Sequence, residues 1–179
     1  MKTIQANRGG ITAILTKGFK RHCIVNQYLV ENPEEDVMVW GTNGTYFPCK
    51  RKELYYGVNL IQELEDSVND FSTLIVDSFY EQANSFETKK FIKYIKNNSK
   101  FKNKKFIFLF VSNSAVKESV EISNFQVYFN VLNKCSDYIY SFSEPCWNSL
   151  ILKDVDNEKT CKFLVTDILN YKMNLVENS

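Results

Sequence analysis

Asp77 ends the apolar run Leu74-Ile75-Val76. A carboxylate there could hold a metal ion. Such a run reads as a strand buried on both faces, and the C-terminal edge of strands is where α/β proteins place their chemistry. The second candidate is the turn Ala6-Asn7-Arg8-Gly9-Gly10-Ile11-Thr12-Ala13. Backbone N–H groups and a helix N-terminus converge on an anion in turns of this kind, and glycines let the backbone approach it. Arg8, Gly9, Gly10 and Thr12 would then contact phosphate. The same residues also suit a strand-to-helix turn that binds nothing, and Asp77 also suits a cap on the turn after it. Asn113, following Phe110-Val111-Ser112, could sense a terminal phosphate or position water, or serve as an ordinary loop residue. Glu81 is the nearest acid after Asp77.

These residues need elements to position them. Lys2 to Ala6 reads as a strand, Asn7 to Gly10 as a turn, and Ile11 onward as a long helix. Ile11, Ile14, Leu15, Phe19, Ile24, Tyr28 and Leu29 roughly follow helical spacing. Gly18 weakens that helix by roughly 1 kcal/mol relative to alanine, and Asn32-Pro33 ends it. Val37 to Trp40 is a strand, residues 45 to 51 are irregular, and Leu54 to Val68 is an amphipathic helix. A strand over 73–77, a helix over 86–99 and a strong central strand over 105–111 follow. Residues 116–133 read as a helix or helix plus turn, and 137–142 as a strand. Ser149 to Lys153 and Thr160 to Val165 read as a hairpin, and the last dozen residues as a fraying helix. The alternation predicts one α/β domain over 1–179. Its fold is a three-layer, mostly parallel central sheet with helices on both faces and a C-terminal β-hairpin at the edge.

Lys89, Lys90, Lys93, Lys96 and Lys100 form a basic segment interleaved with Phe91 and Tyr94. Such a stretch suits sequence-independent contact with a phosphate backbone, or a plain solvated face. Lys17, Lys20, Arg21 and His22 form a second cluster with the same two readings. The net charge of +1 gives no whole-protein pull toward nucleic acid, so any attraction is local. No apolar run is long enough to span a bilayer, and the polar N-terminus is not a secretory signal. The five cysteines include no C-x-x-C pair, which fits reduced thiols in a cytoplasmic protein better than a zinc site.

Taken together, the order of features resembles the FtsK/HerA branch of P-loop ATPases, which includes DNA-packaging motors and Zot-like phage morphogenesis proteins. Leu74 to Gln82 is similar to that group's second motif, in which apolar residues precede Asp-Glu. Phe108 to Ser114 resembles its strand ending in Ala-Thr-Gln, with Asn113 in place of the glutamine. Val127 to Phe142 parallels the segment leading to its fifth strand. The resemblance implies ATP on Arg8, Gly9, Gly10 and Thr12, Mg2+ on Asp77, Asn113 and Glu81 as catalytic residues, and DNA on the lysines of a homo-oligomer. The departures are specific: the loop lacks its lysine, and the glutamate after the aspartate is Ser78. Each loss should cost several kcal/mol of transition-state stabilisation. The sequence therefore implies a degenerate nucleotide site with weak or absent hydrolysis, or an adaptor subunit that keeps only the fold.

Overall fold

The computed structural model describes residues 2–17, 20–41, 47–55, 57–77, 85–112 and 134–179. In chain order these form β1 (Ile11–Lys17), α1 (Arg21–Glu31), β2 (Val37–Gly41), β3 (Lys50–Glu53), α2 (Leu60–Ser67), β4 (Thr73–Val76), α3 (Ser85–Asn97), β5 (Lys105–Ser112), β6 (Tyr138–Ser143), β7 (Ser149–Asp154), β8 (Thr160–Asp167) and β9 (Lys172–Asn178). One mixed sheet runs β3-β2-β4-β5-β1-β6-β7-β8-β9. Its first six strands are parallel. The last three are added antiparallel, as an up-and-down extension of β6.

β1 is a strand where a helix is expected. Its central place explains the misreading. It pairs with β5 on one side and β6 on the other, and Ile11, Ala13 and Ile14 are fully buried. A strand covered on both faces need not alternate, so its apolar spacing can imitate a helical period. Its β-branched Ile11, Thr12, Ile14 and Thr16 favour the extended form. The helix starts only at Arg21, beyond Gly18.

Residues 2–6 also depart from expectation, since they join no ladder. The Gln5 N–H donates to Tyr140 Oη at 2.9 Å, and its carbonyl accepts from Thr12 Oγ1 at 2.8 Å. The Thr3 N–H donates to Glu31 Oε2 at 2.7 Å, while Ile4 enters the core. The segment is a strap tied by side chains.

At the other end, β9 replaces the expected final helix, so the edge hairpin becomes a longer antiparallel run. The turn before it is built by Asp167, whose Oδ1 accepts the N–H groups of Leu169 and Asn170 at 3.1 and 3.2 Å, and by Tyr171 at φ 56°. An aspartate bonding backbone two and three residues on is turn chemistry. β3 begins at the end of the stretch over 45–51 expected to be irregular and extends past it. The expected helical stretch over 116–133 lies outside the described residues.

Residues of successive positions on β5 enter different cores. Phe106 and Phe108 pack with Leu60 and Leu64 of α2 and with Phe91, Ile92 and Ile95 of α3. Ile107 and Leu109 pack with Cys23, Ile24, Val25 and Tyr28 of α1. Each fully buried side chain of this size contributes roughly 1.5–3 kcal/mol. The sheet is thereby fixed in register, because a one-residue slip would exchange the two cores. Among the described residues, no helix is long and apolar enough to cross a membrane. All five cysteines are free thiols.

The Gly9-Gly10 pair has an architectural explanation. Gly9 sits at φ +71°, which glycine adopts at no steric cost, and its N–H donates to the Lys104 carbonyl at 2.7 Å. A Cβ on Gly10 would fall 1.7 Å from Asp137 Oδ2, the atom that accepts the buried Ile11 N–H. Gly10→Ala is therefore expected to cost about 1–3 kcal/mol by displacing that acceptor. Chemical denaturation of the variant measures the loss, and an unchanged midpoint would remove this role.

Candidate functional site

Parallel register decides which candidate residues can meet. β1 and β4 both run parallel to β5, so their C-terminal ends share one edge of the sheet. Asp77 follows β4 at that edge. The Gly9-Gly10 turn precedes β1 and lies at the opposite edge. Val76 is level with Phe108, which is level with Ala13. The turn and the acid are therefore about 13 Å apart along the strands, and two strand spacings of ~4.8 Å apart across them. Arg8 is exposed, while Thr12 is fully buried and bonded to Gln5. Arg8, Gly9, Gly10 and Thr12 thus do not share a site with Asp77. This corrects the expected convergence, and its cause is the exchange of strand for helix at Ile11. The turn enters β1; it does not leave a strand for a helix.

The segment that does reach Asp77 is the start of α1. Arg21 Nε donates to Asp77 Oδ1 at 2.7 Å, and His22 Nε2 lies 3.2 Å from Asp77 Oδ2. All three side chains are buried, with Asp77 5% exposed. The Asp77 N–H donates to the Trp40 carbonyl at 2.7 Å, which pins the acid beside β2. His22 meets the rings of Phe47 and Tyr171 edge-on, at centroid distances of 5.5 and 5.3 Å. Next to this cluster, Lys20 Nζ lies 3.2 Å from Glu144 Oε2 and donates to the Cys146 carbonyl at 3.4 Å. The cluster Lys20-Arg21-His22 is therefore mostly spent inside the protein, against acids carried by the ends of β4 and β6.

Electrostatics follow from this arrangement. Burial pushes the Asp77 carboxyl up, but the His22 hydrogen bond and the charge and hydrogen bond of Arg21 outweigh it and hold the acid below its ordinary range. Burial raises the neighbouring Cys23 thiol to about 11 despite Lys20, so it is inert as a nucleophile. Cys146 is exposed, and the Ser149 hydroxyl hydrogen-bonded to it, at 2.9 Å, lowers its thiol.

A Mg2+ ion needs several oxygen ligands in octahedral array. Asp77 instead has a guanidinium and an imidazole on its two oxygens, so its surroundings do not fit Mg2+. Among the described residues, no three His, Cys, Asp or Glu side chains converge as a metal site. Glu81 and Asn113 lie outside the described residues, although Asn113 follows β5 directly in the chain.

The lysines of α3 divide into two groups. Thr88, Phe91, Ile92 and Ile95 are buried, and Lys89, Lys90, Lys93 and Lys96 are exposed on the other side of the helix. Among the described residues none of these four joins an ion pair. Lys100 pairs with Glu65, which also accepts from Tyr94 Oη.

Sequence reasoning finds Asp77 and misses its partners. Arg21 lies 56 residues from Asp77, and chain spacing carries no signal for that contact. The one available hint is the basic cluster following a β-branched run, read above as surface. No protein-family model matches the chain, and no curated protein matches it either.

Proposed function

We propose that this chain is a P-loop-ATPase-like domain, of the kind found in DNA-translocating and phage-morphogenesis motors, that keeps the fold without the nucleotide chemistry. It serves as a non-catalytic assembly subunit in phage or mobile-element biogenesis, within an oligomer. The observation that carries this reading is the Arg21–Asp77–His22 cluster. The acid that a motor of this group would turn toward Mg2+ is here occupied by two side chains of its own domain.

The order of elements supports the kinship. A central strand, β1, is followed by a short connection, a helix and, after a further strand, an acid-ended strand whose acid returns to the start of that helix. This order agrees with the layout the resemblance implies, shifted along the chain by one element from the Gly9-Gly10 turn. The packing of α1 against one core and of α2 and α3 against the other suits a three-layer plan. Chain reversal at β1, flanked by β5 and β6, places a topological switch at the same edge, where open α/β sheets bind ligands. The missing loop lysine and Ser78 after Asp77 agree with lost hydrolysis.

Thermal unfolding with and without Mg-ATP tests the proposal. A ligand at one hundred times its dissociation constant stabilises by about 2.7 kcal/mol, and in a domain of this size each kcal/mol is worth roughly 2–4 °C. The expected result is no shift. A rise of several degrees that Asp77→Asn abolishes would restore a working nucleotide site.

A further inference from the structure

The lysines of α3 border a cleft. Between α2 and α3 lies an open groove of about 410 Å³, lined by Ile61, Lys90, Lys93, Tyr94, Asn97 and Asn98. An aliphatic side chain, a phenol ring, two amides and two ammonium groups line it. We infer that this groove binds single-stranded nucleic acid, with the phosphate backbone on the α3 lysines and a base laid against Ile61 and Tyr94.

Three observations converge on that ligand. First, among the described residues Lys89, Lys90, Lys93 and Lys96 join no ion pair. The acids of the facing helix have other partners: Glu63 pairs with Lys52, Glu65 with Lys100 and, at the groove itself, with the Tyr94 hydroxyl, and Asp66 accepts from Gln62 Nε2 at 2.9 Å. Lys89, Lys90, Lys93 and Lys96 are left facing solvent on one side of α3, with Glu87 the one acid of that helix. Second, lysines three and four apart form a row along a helix, and a row of cations matches a linear polyanion better than a compact one. Third, the row flanks a surface fit for a flat ring. Tyr94 is held from behind, its ring packed on Phe101 at a centroid distance of 5.9 Å and its hydroxyl tied to Glu65. A fixed aromatic floor beside cations is the arrangement by which single strands are bound without sequence preference, by stacking and charge. The Asn97 amide carries a donor and an acceptor that a base edge can use, and Asn98, whose Oδ1 accepts the Lys100 N–H at 3.3 Å, keeps its amide donors. A duplex keeps its bases stacked inside and could use the lysines alone. This inference gives the assembly subunit proposed above a ligand and does not depend on the state of its nucleotide site.

Fluorescence anisotropy of the full chain with a labelled ~12-nucleotide oligothymidylate, a length within the span of single-strand sites, tests it against an abasic strand of equal phosphate count, a duplex and anionic vesicles. The oligothymidylate should bind at least about fivefold more tightly than the abasic strand, from stacking. Lys93→Ala, an exposed change that spares the core, should lower the salt slope by about one. Asn97→Asp, which sets a carboxylate at the groove, should weaken the strand severalfold with an unchanged far-UV spectrum. Equal affinity for the abasic strand or the duplex would reduce the site to a charged helix face and overturn the inference. So would an affinity that Lys93→Ala and Asn97→Asp leave intact, preferential capture by vesicles, or no binding at low salt. None of these results bears on Mg-ATP binding, so the two proposals fail separately.

Discussion

Asp77→Ala should lower the unfolding free energy by about 3–5 kcal/mol, the cost of removing one partner from a buried ion pair. The reason is what remains behind. Arg21 is 8% exposed in its side chain, and its Nε loses the oxygen 2.7 Å away. His22, equally enclosed between Phe47 and Tyr171, loses the carboxylate oxygen 3.2 Å from its Nε2. Water cannot readily replace the carboxylate there, so a cation is left desolvated. A metal-binding acid behaves in the opposite way, because its removal relieves repulsion in the empty site and spares the fold. Asp77→Asn keeps the shape and one acceptor but gives up the charge, and should fall between wild type and alanine. The double variant Arg21→Met/Asp77→Leu should regain most of the loss, since apolar replacements of buried pairs are often neutral or better. The pH dependence has a definite sign. The folded acid titrates below its ordinary value near 3.8, so its contribution is present above that value and disappears as pH falls through the lower, folded one. Urea unfolding of the variants at neutral pH measures the effect. An Asp77→Ala midpoint matching wild type would return Asp77 to the role of a functional acid.

Local signals made much of the sheet legible and left its first strand ambiguous. Lys105 to Val111 reads as a central strand because the six aromatic and aliphatic residues Phe106 to Val111 have no polar face to expose, and β5 lies there. The strand ending before Asp77 and the helix at 86–99 likewise fall on β4 and α3, where apolar period and length agree. Ile11 to Lys17 fails that test, since its spacing fits both periods until its neighbours β5 and β6 are known. The error then carried the site with it, because a helix at Ile11 turns Gly9-Gly10 into a loop at the functional edge. A glycine pair reports only that a side chain is excluded. Here the excluders are the Lys102 carbonyl and the Asp137 carboxylate, 93 and 127 positions later in the chain than the glycines they crowd. Asp77 was legible as an acid ending a strand. Whether it faces a metal or an arginine depends on a contact across the sheet edge, which no local pattern encodes.

The opposite edge of the sheet carries the second large effect, at Glu35. This residue precedes β2 and gathers three elements. Tyr28 Oη of α1 donates to its Oε2 at 2.8 Å, Thr73 Oγ1 of β4 donates to the same oxygen at 2.6 Å, and the Lys105 ammonium of β5 pairs with Oε1. Its side chain is 10% exposed and that of Lys105 is 19% exposed, so solvent screens the pair only in part. Glu35→Ala strands two hydroxyls and a cation together, and a loss of about 3 kcal/mol is expected, at the lower end for broken buried pairs. Glu35→Gln keeps an acceptor for Tyr28 and Thr73 but not the ion pair, and should cost roughly half as much, within the range for a charged hydrogen bond. Acid titration separates the ionic share from the packing share. Burial raises the Glu35 carboxyl, but the Lys105, Thr73 and Tyr28 hydrogen bonds and the Lys105 charge more than offset it and hold the acid below its ordinary 4.5. Its stabilisation is therefore complete above that value and is lost as pH falls through the folded one. The gap in unfolding free energy between wild type and Glu35→Ala should narrow as pH falls from 7 toward 3, and Glu35→Gln should track alanine in that narrowing. A gap that stays constant across the titration would mean that Glu35 acts through shape alone and that Lys105 finds another partner when the acid is gone.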